Sequence, residues 1–275
     1  MKYALLAALL YALSSPISKL LLEFIGPTLM AACLYLGAGF GLLLVKKTNK
    51  TKEEKLEKKD MPYVIGMVVL DIIAPILLMM GLTITSSSNA ALLNNFEIVA
   101  TTVIAFFIFK EKISKNLLIG IILVLISSII LTFDISSLSF NLGSVLVLLA
   151  AIAWGFENNC TKMISNKNPI DIVIIKGIFS GLGSLIISII INEFTLNYYL
   201  IFALILGFFS YGLSITTYIY AQRHLGASKT SAFYAVNPFI GTLLSLIIFK
   251  DMPNFNFVIA LVIMMIATIF IVKEE

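Results

Sequence analysis

Charge is scarce in this chain. Asp, Glu, Lys and Arg make up 12% of its 275 residues, about half the roughly 25% of an ordinary soluble domain. A soluble fold with this composition would have too little polar surface to cover itself. Cysteine is nearly absent: Cys33 and Cys160 lie in apolar stretches, with neither metal-ligand spacing nor a disulfide framework around them. The single histidine, His224, stands beside Arg223 at the end of an apolar stretch and reads as a solvated loop residue, not a ligand. The signatures HExxH, GxSxG and Walker A are missing, as are aspartate-rich phosphate or metal motifs. These absences argue against an intramembrane enzyme, a self-powered ATPase, and any cofactor or metal.

What is present is apolar. Hydrophobic residues make up 60% of the chain and the mean hydropathy is +1.04. The apolar runs are long and continuous, as membrane helices require, and lack the polar alternation of a transmembrane barrel. They predict an all-α integral membrane protein with ten spans: 2–22, 27–46, 62–83, 86–109, 115–133, 141–164, 168–191, 198–222, 225–249 and 254–272. The first could be taken for a signal peptide, but it lacks a convincing small-residue cleavage site, so it is read as a mature helix. The stretch "KKTNKTKEEKLEKKD" (46–60) reads as a solvated charged loop.

The basic residues fix an orientation. With the N-terminus inside, the inner side holds Lys2, the seven lysines of 46–60, Lys110, Lys112, Lys115, Lys162, Lys167, Arg223, Lys229 and Lys273. Lys19 and Lys250 fall outside, and Lys176 lies within a span. This bias predicts both termini in the cytoplasm of a cell whose cytoplasmic (inner) membrane holds the protein. The net charge of +4 is thus a matter of topology, and no nucleic-acid partner is expected.

The second half echoes the first at an offset near 140. "FFIFKEKIS" (106–114) matches "LIIFKDMPN" (246–254), and "YALSSPISK" (11–19) matches "WGFENNCTK" (154–162). The GxxxG pair Gly37/Gly41 matches Gly177/Gly181, and "GPT" (26–28) matches "NPI" (168–170). Several such matches in one order define two repeats, 1–133 and 141–275. Five helices per repeat is an odd number, so the halves enter the membrane in opposite senses. Inverted repeats recur in secondary transporters, with the substrate site near mid-membrane where the halves meet.

These residues resemble the drug/metabolite transporter superfamily, and within it the EamA-type transporters. The resemblance covers nearly the whole chain. Its carriers are the aromatic-small-polar-to-lysine patterns "YALSSPISK" and "WGFENNCTK", with "NNFEIVATTVIAFFIFKEKIS" and "AVNPFIGTLLSLIIFKDMPN" at the fourth helix of each repeat. Where such proteins often have Glu-Pro, this chain has Glu97-Ile98 and Asn237-Pro238. Where they often have Gly-Glu, it has Lys110-Glu111 and Lys250-Asp251. The resemblance implies ten helices in two inverted repeats, working by alternating access. It also implies export of amino acids or related compounds.

Three carboxylates fall within spans: Asp71, Glu97 and Glu157. A charge at mid-membrane costs roughly 2.5–3.5 kcal/mol, so each must face protein or water. The functional reading is a substrate ligand or a proton carrier, Glu97 first and Asp71 second. The plainer reading is a hydrogen-bonded tie between helices. Asn94, Glu97 and Thr101 share one helical face, and Tyr234, Asn237 and Gly241 share the equivalent one. Trp154, Glu157, Asn158 and Thr161 follow the i, i+3, i+4, i+7 pattern of a single face, matched by Tyr11, Ser14, Ser15 and Ser18. Tyr211 is the counterpart of Asp71.

The candidate substrate site is therefore Asn94, Glu97, Trp154, Glu157, Asn158, Tyr234, Asn237, Tyr11 and Ser15. Lys19 and Lys162 read as snorkelling residues; Lys176 either snorkels or pairs with a carboxylate. The glycine pairs read as packing within the bundle. Pro16, Pro75 and Pro238 free backbone carbonyls inside spans.

The expected partners are a small-molecule substrate, the bilayer and protons, in a monomer or homodimer. Proton-coupled efflux of organic cations is the second functional reading. A non-transporting scaffold or lipid-handling protein is the rival from another class, and it would pack solid where a transporter keeps a polar cavity.

Overall fold

The computed structural model describes residues 1–48, 53–84, 93–94, 96–132, 142–237, 239–240 and 255–273. No strand occurs among them. Six helices are long and apolar enough to cross a membrane: α1 (Lys2–Leu21), α2 (Pro27–Thr48), α3 (Met61–Ile84), α6 (Leu142–Met163), α7 (Pro169–Ile190) and α8 (Tyr199–Leu225). Shorter helices are α4 (Phe96–Phe107), α5 (Lys115–Thr132), α9 (Ala227–Tyr234) and α10 (Phe255–Val272). These segments lie in chain order along the predicted spans, and six of them reach crossing length among the described residues. The predicted extensions of α4 toward 86 and of α9 toward 249 lie outside the described residues.

Local chemistry sets the breaks. Helix α1 loosens at Ala12–Leu13, where Pro16 supplies no N–H for the carbonyl four residues back, as expected of a proline within the span. Asn168 caps α7 by accepting from the Ile170 backbone N–H at 3.0 Å, with Pro169 following it. Helices α7 and α8 each carry one wide π turn, Lys176–Ser180 and Phe208–Leu213, a feature frequent at functional sites. Gly226, at φ 82, separates α8 from α9.

The bundle has an apolar core that also buries several charged side chains, and it turns large apolar side chains outward. Asp71, Glu157 and Lys176 are buried, whereas Phe107 is 64% and Ile190 71% exposed. Water would not tolerate that outer surface and a bilayer would, which is the arrangement of a multi-pass membrane protein. The packing partners come in related pairs. Helix α3 packs on α6 as α8 packs on α1, and α4 packs on α6 as α9 packs on α1. Helices α2 and α7 pack on each other, as do α5 and α10. The GxxxG glycines serve these contacts within the chain: a methyl at Gly177 would collide with the backbone of Gly39.

The segment 46–60 is more than a solvated loop. Lys46 and Lys47 end α2, and Lys58–Asp60 forms a 3₁₀ turn before α3. Its acidic residues grip the second half of the chain. Buried Lys167 lies 3.1 Å from Glu54 and 3.0 Å from Glu57. Arg223 lies 2.8 Å from Glu53 and donates to the carbonyls of Ser165 and Lys167.

Candidate functional site

The site forms where four helices of each half converge. From the first half, α1 brings Tyr11, α2 Tyr35, α3 Asp71 and α4 Glu97. From the second, α6 brings Trp154, Glu157, Asn158 and Thr161, α7 brings Lys176, α8 brings Tyr211, Ile215 and Tyr218, and α9 brings Tyr234. Together they enclose a cavity of about 50 Å³. That volume holds a few waters, since one needs roughly 10–15 Å³ on the same measure.

Glu97 is held by α6. Gly155 lets the two helices touch: a methyl there would strike Ala100 and the Thr101 backbone of α4. One turn on, the Asn158 amide donates to Glu97 Oε1 at 2.7 Å and to Thr101 Oγ1 at 3.2 Å. The Asn158 carbonyl in turn accepts from Gln222 of α8 at 3.0 Å. Asn159 secures the same junction, donating to the Thr101 carbonyl at 3.0 Å and the Gly155 carbonyl at 2.9 Å. Glu97 thus meets a neutral amide.

The other two carboxylates share one cation. Lys176 Nζ lies 2.6 Å from Glu157 Oε1 and 3.1 Å from Asp71 Oδ2. Tyr35 donates to Asp71 Oδ1 at 2.7 Å, and the Thr161 hydroxyl donates to Glu157 Oε1. Three helices therefore supply a buried triad whose two acids outnumber its base. Counting Glu97, the cavity wall carries three carboxyl groups against one ammonium.

Aromatic rings close the rest. Centroid separations run 5.1 Å for Tyr35–Tyr211, 5.7 Å for Tyr211–Tyr11, 5.2 Å for Tyr11–Tyr234 and 4.9 Å for Tyr234–Tyr218. All fall in the range of favourable ring pairs. The five rings form an arc that draws on α2, α8, α1 and α9.

Of the residues expected from sequence, Tyr11, Asp71, Glu97, Trp154, Glu157, Asn158 and Tyr234 come together here. Asn94 and Asn237 are half-buried and are not among the residues lining the cavity. Ser15 lies on α1 one residue after buried Ser14; its side chain lies outside the described set. Lys176, for which snorkelling and pairing were both open, pairs. Lys19 donates to the Leu82 carbonyl at 2.7 Å instead of snorkelling free. Tyr35 and Tyr218 were not foreseen. For Tyr218 a signal existed: Tyr211, Ile215 and Tyr218 share one helical face at i, i+4, i+7. Tyr35 stands among apolar residues of α2, where nothing distinguishes it from packing.

Comparison with known proteins gives this cavity a setting. A relative from Methanothermobacter thermautotrophicus, named an uncharacterized transporter, is 26% identical over 268 residues, spanning 89% of this chain and 78% of its own length. Another of that name from Clostridium kluyveri is 26% identical over 284 residues, covering 97% of this chain and 91% of itself. A crystal structure at 13% identity superposes with a TM-score of 0.83, covering 100% of this chain and 99% of the other, which shows the shared fold. The sequence model of the EamA-like transporter family matches twice, over residues 1–133 and 141–273. Both matches together span nearly the whole chain, and the protein belongs to the EamA-like transporter family.

Proposed function

We propose that this transporter is a secondary carrier of small metabolites, working by alternating access between two inverted five-helix repeats, 1–133 and 141–275. It sits in the cytoplasmic membrane with both termini on the cytoplasmic side. The observation that carries this reading is a cavity ringed by tyrosines and by Asp71, Glu97, Glu157 and Lys176, to which α1–α4 and α6–α9 all contribute. A scaffold has no need of such a chamber. The paired helix packing and the two matches of one family model support the repeats. Ligand pockets commonly measure about 300–1,000 Å³, so the walls must part to admit a metabolite. Rocking of one half against the other is the simplest such motion.

Amino acids or related compounds are the first substrate class, exported from the cell. In that reading Glu97 receives the ammonium group, with the tyrosine arc around it. The excess of carboxyl groups favours a second reading, proton-coupled efflux of organic cations, in which Glu97 holds a proton or a cation in turn and tyrosine faces add cation–π attraction. Asp71 is the second candidate for carrying a proton.

Flux into proteoliposomes, measured for a panel of amino acids and organic amines with and without a pH gradient, tests both. Glu97→Gln is expected to abolish flux, or its pH dependence, for every compound the wild type moves. Unchanged flux and pH dependence in that variant would remove Glu97 from the mechanism. Absence of flux for the whole panel would shift the balance to a scaffold or lipid-handling role.

A further inference from the structure

We propose that Lys176 is a resident cation filling a monovalent-cation site built across the two halves of the molecule. The site, called the cage below, presents two carboxylate oxygens to the ammonium. Glu157 Oε1 of α6 and Asp71 Oδ2 of α3 lie 2.6 and 3.1 Å from the Lys176 ammonium. Behind them, the Thr161 and Tyr35 hydroxyls donate to the same two carboxylates. All three charged side chains are buried, at 3% exposure or less. Tyr35 and Asp71 belong to the first half; Glu157, Thr161 and Lys176 belong to the second.

Two buried carboxylates facing one point cannot both stay ionised without a positive charge between them. A free alkali cation could supply that charge, since oxygen ligands suit hard cations. Here the chain supplies it from α7. Lys176 is the first residue of the π turn Lys176–Ser180, a helix distortion frequent at functional sites. In sequence it is the charge without a counterpart in α2, so only the second half supplies the filling charge.

The binding statement stands on the cage alone. Its consequence for coupling rests on the carrier reading: with the site already occupied, the protein needs no sodium or potassium ion to complete it. The tether also means that this charge is not carried across the membrane with substrate.

The test is thermal unfolding of the purified full chain in detergent, in chloride salts of sodium, lithium, potassium or choline at equal ionic strength. Wild type is expected to unfold at one temperature in all four. Lys176→Ala, which empties the cage, is expected to unfold lower in choline and to recover by about 3–5 °C in at least one alkali salt, the shift produced by roughly tenfold excess over a dissociation constant. Asp71→Asn in the Lys176→Ala background is expected to lose that recovery. Should Lys176→Ala fail to fold in every salt, Lys176→Gln takes its place in the same comparison.

An equal melting temperature of the lysine variant in all four salts would overturn the proposal. So would a wild type as responsive to alkali ions as the variant. No transport is measured, so a failure here leaves the carrier reading standing, and a failure of flux leaves the cage standing.

Discussion

At the level of single residues, the chain accepts local strain at the end of α4. Lys110 follows α4 at φ 57, in the left-handed region that favours glycine. It occupies the first position of the pair that resembling proteins often fill with Gly-Glu. In this turn Glu111 reaches α9. Its carboxylate accepts from the backbone N–H groups of Ala227 and Ser228 at 3.0 and 3.2 Å, a favourable charge at a helix N-terminus. Lys110→Gly should therefore stabilise the protein by about 1 kcal/mol. A melting temperature unchanged or lowered would show that the turn carries no such strain.

The residues of the cavity divide along the same lines. Glu97, Glu157 and Asn158 were legible because polar groups inside apolar spans are costly and because helical spacing put Glu97 on a face with Thr101, and Glu157 and Asn158 on a face with Trp154 and Thr161. The sharing of Lys176 between Asp71 and Glu157 was not legible. Those residues come from three helices, and their meeting is fixed by packing, not by any local pattern. Tyr35 gave no warning, since an aromatic in an apolar helix looks the same whether it fills a core or lines a chamber.

At the level of elements, the acidic residues of 53–60 bind the first half to the second on the face opposite Glu193. Glu57 is held down to about 2, from an ordinary 4.5, by hydrogen bonds from Lys59 and Lys167. Lys167 is raised above its ordinary value, mainly by Glu57 and then Glu54. A depressed carboxyl contributes attachment that is complete above 4.5 and is lost as pH falls toward about 2. A raised lysine contributes attachment that is complete below its ordinary value and is lost as pH rises past its shifted one. Hydrogen exchange in 53–60, corrected for intrinsic rates, should accordingly stay flat across the neutral range and increase only at the acid and alkaline extremes. Release between pH 5 and 8 would contradict this.

The opposite face has its own tie. Glu193 accepts from the Thr28 backbone N–H at 2.8 Å, and Asn197 donates to the Phe24 carbonyl at 3.0 Å. Contacts of this kind tie the two halves together on both faces. They were hidden in the sequence, where 46–60 read as solvated because its composition is that of a loop. Charge density revealed its exposure to water but not the partners it meets there.

For the whole molecule, the order of the helices was readable from the apolar runs, and the odd helix number per repeat set the expectation of inversion. Helix ends were less readable. The interruption of α1 at Ala12–Leu13 and the π turns of α7 and α8 depend on backbone geometry that hydrophobic pattern does not encode. What pattern does encode is an apolar exterior around a few buried charges, and charged groups contributed by both halves at mid-membrane suit a rocking carrier.

The central claim is that this chamber opens to each side of the membrane in turn. Ile215 lines it without taking part in the charge network, so a cysteine there reports access with little disturbance. With Cys33 and Cys160 replaced by alanine, Ile215→Cys should react with a membrane-impermeant thiol reagent applied to either face of oriented vesicles. Reaction from neither face, or from one face under every condition of substrate and pH, would contradict alternating access.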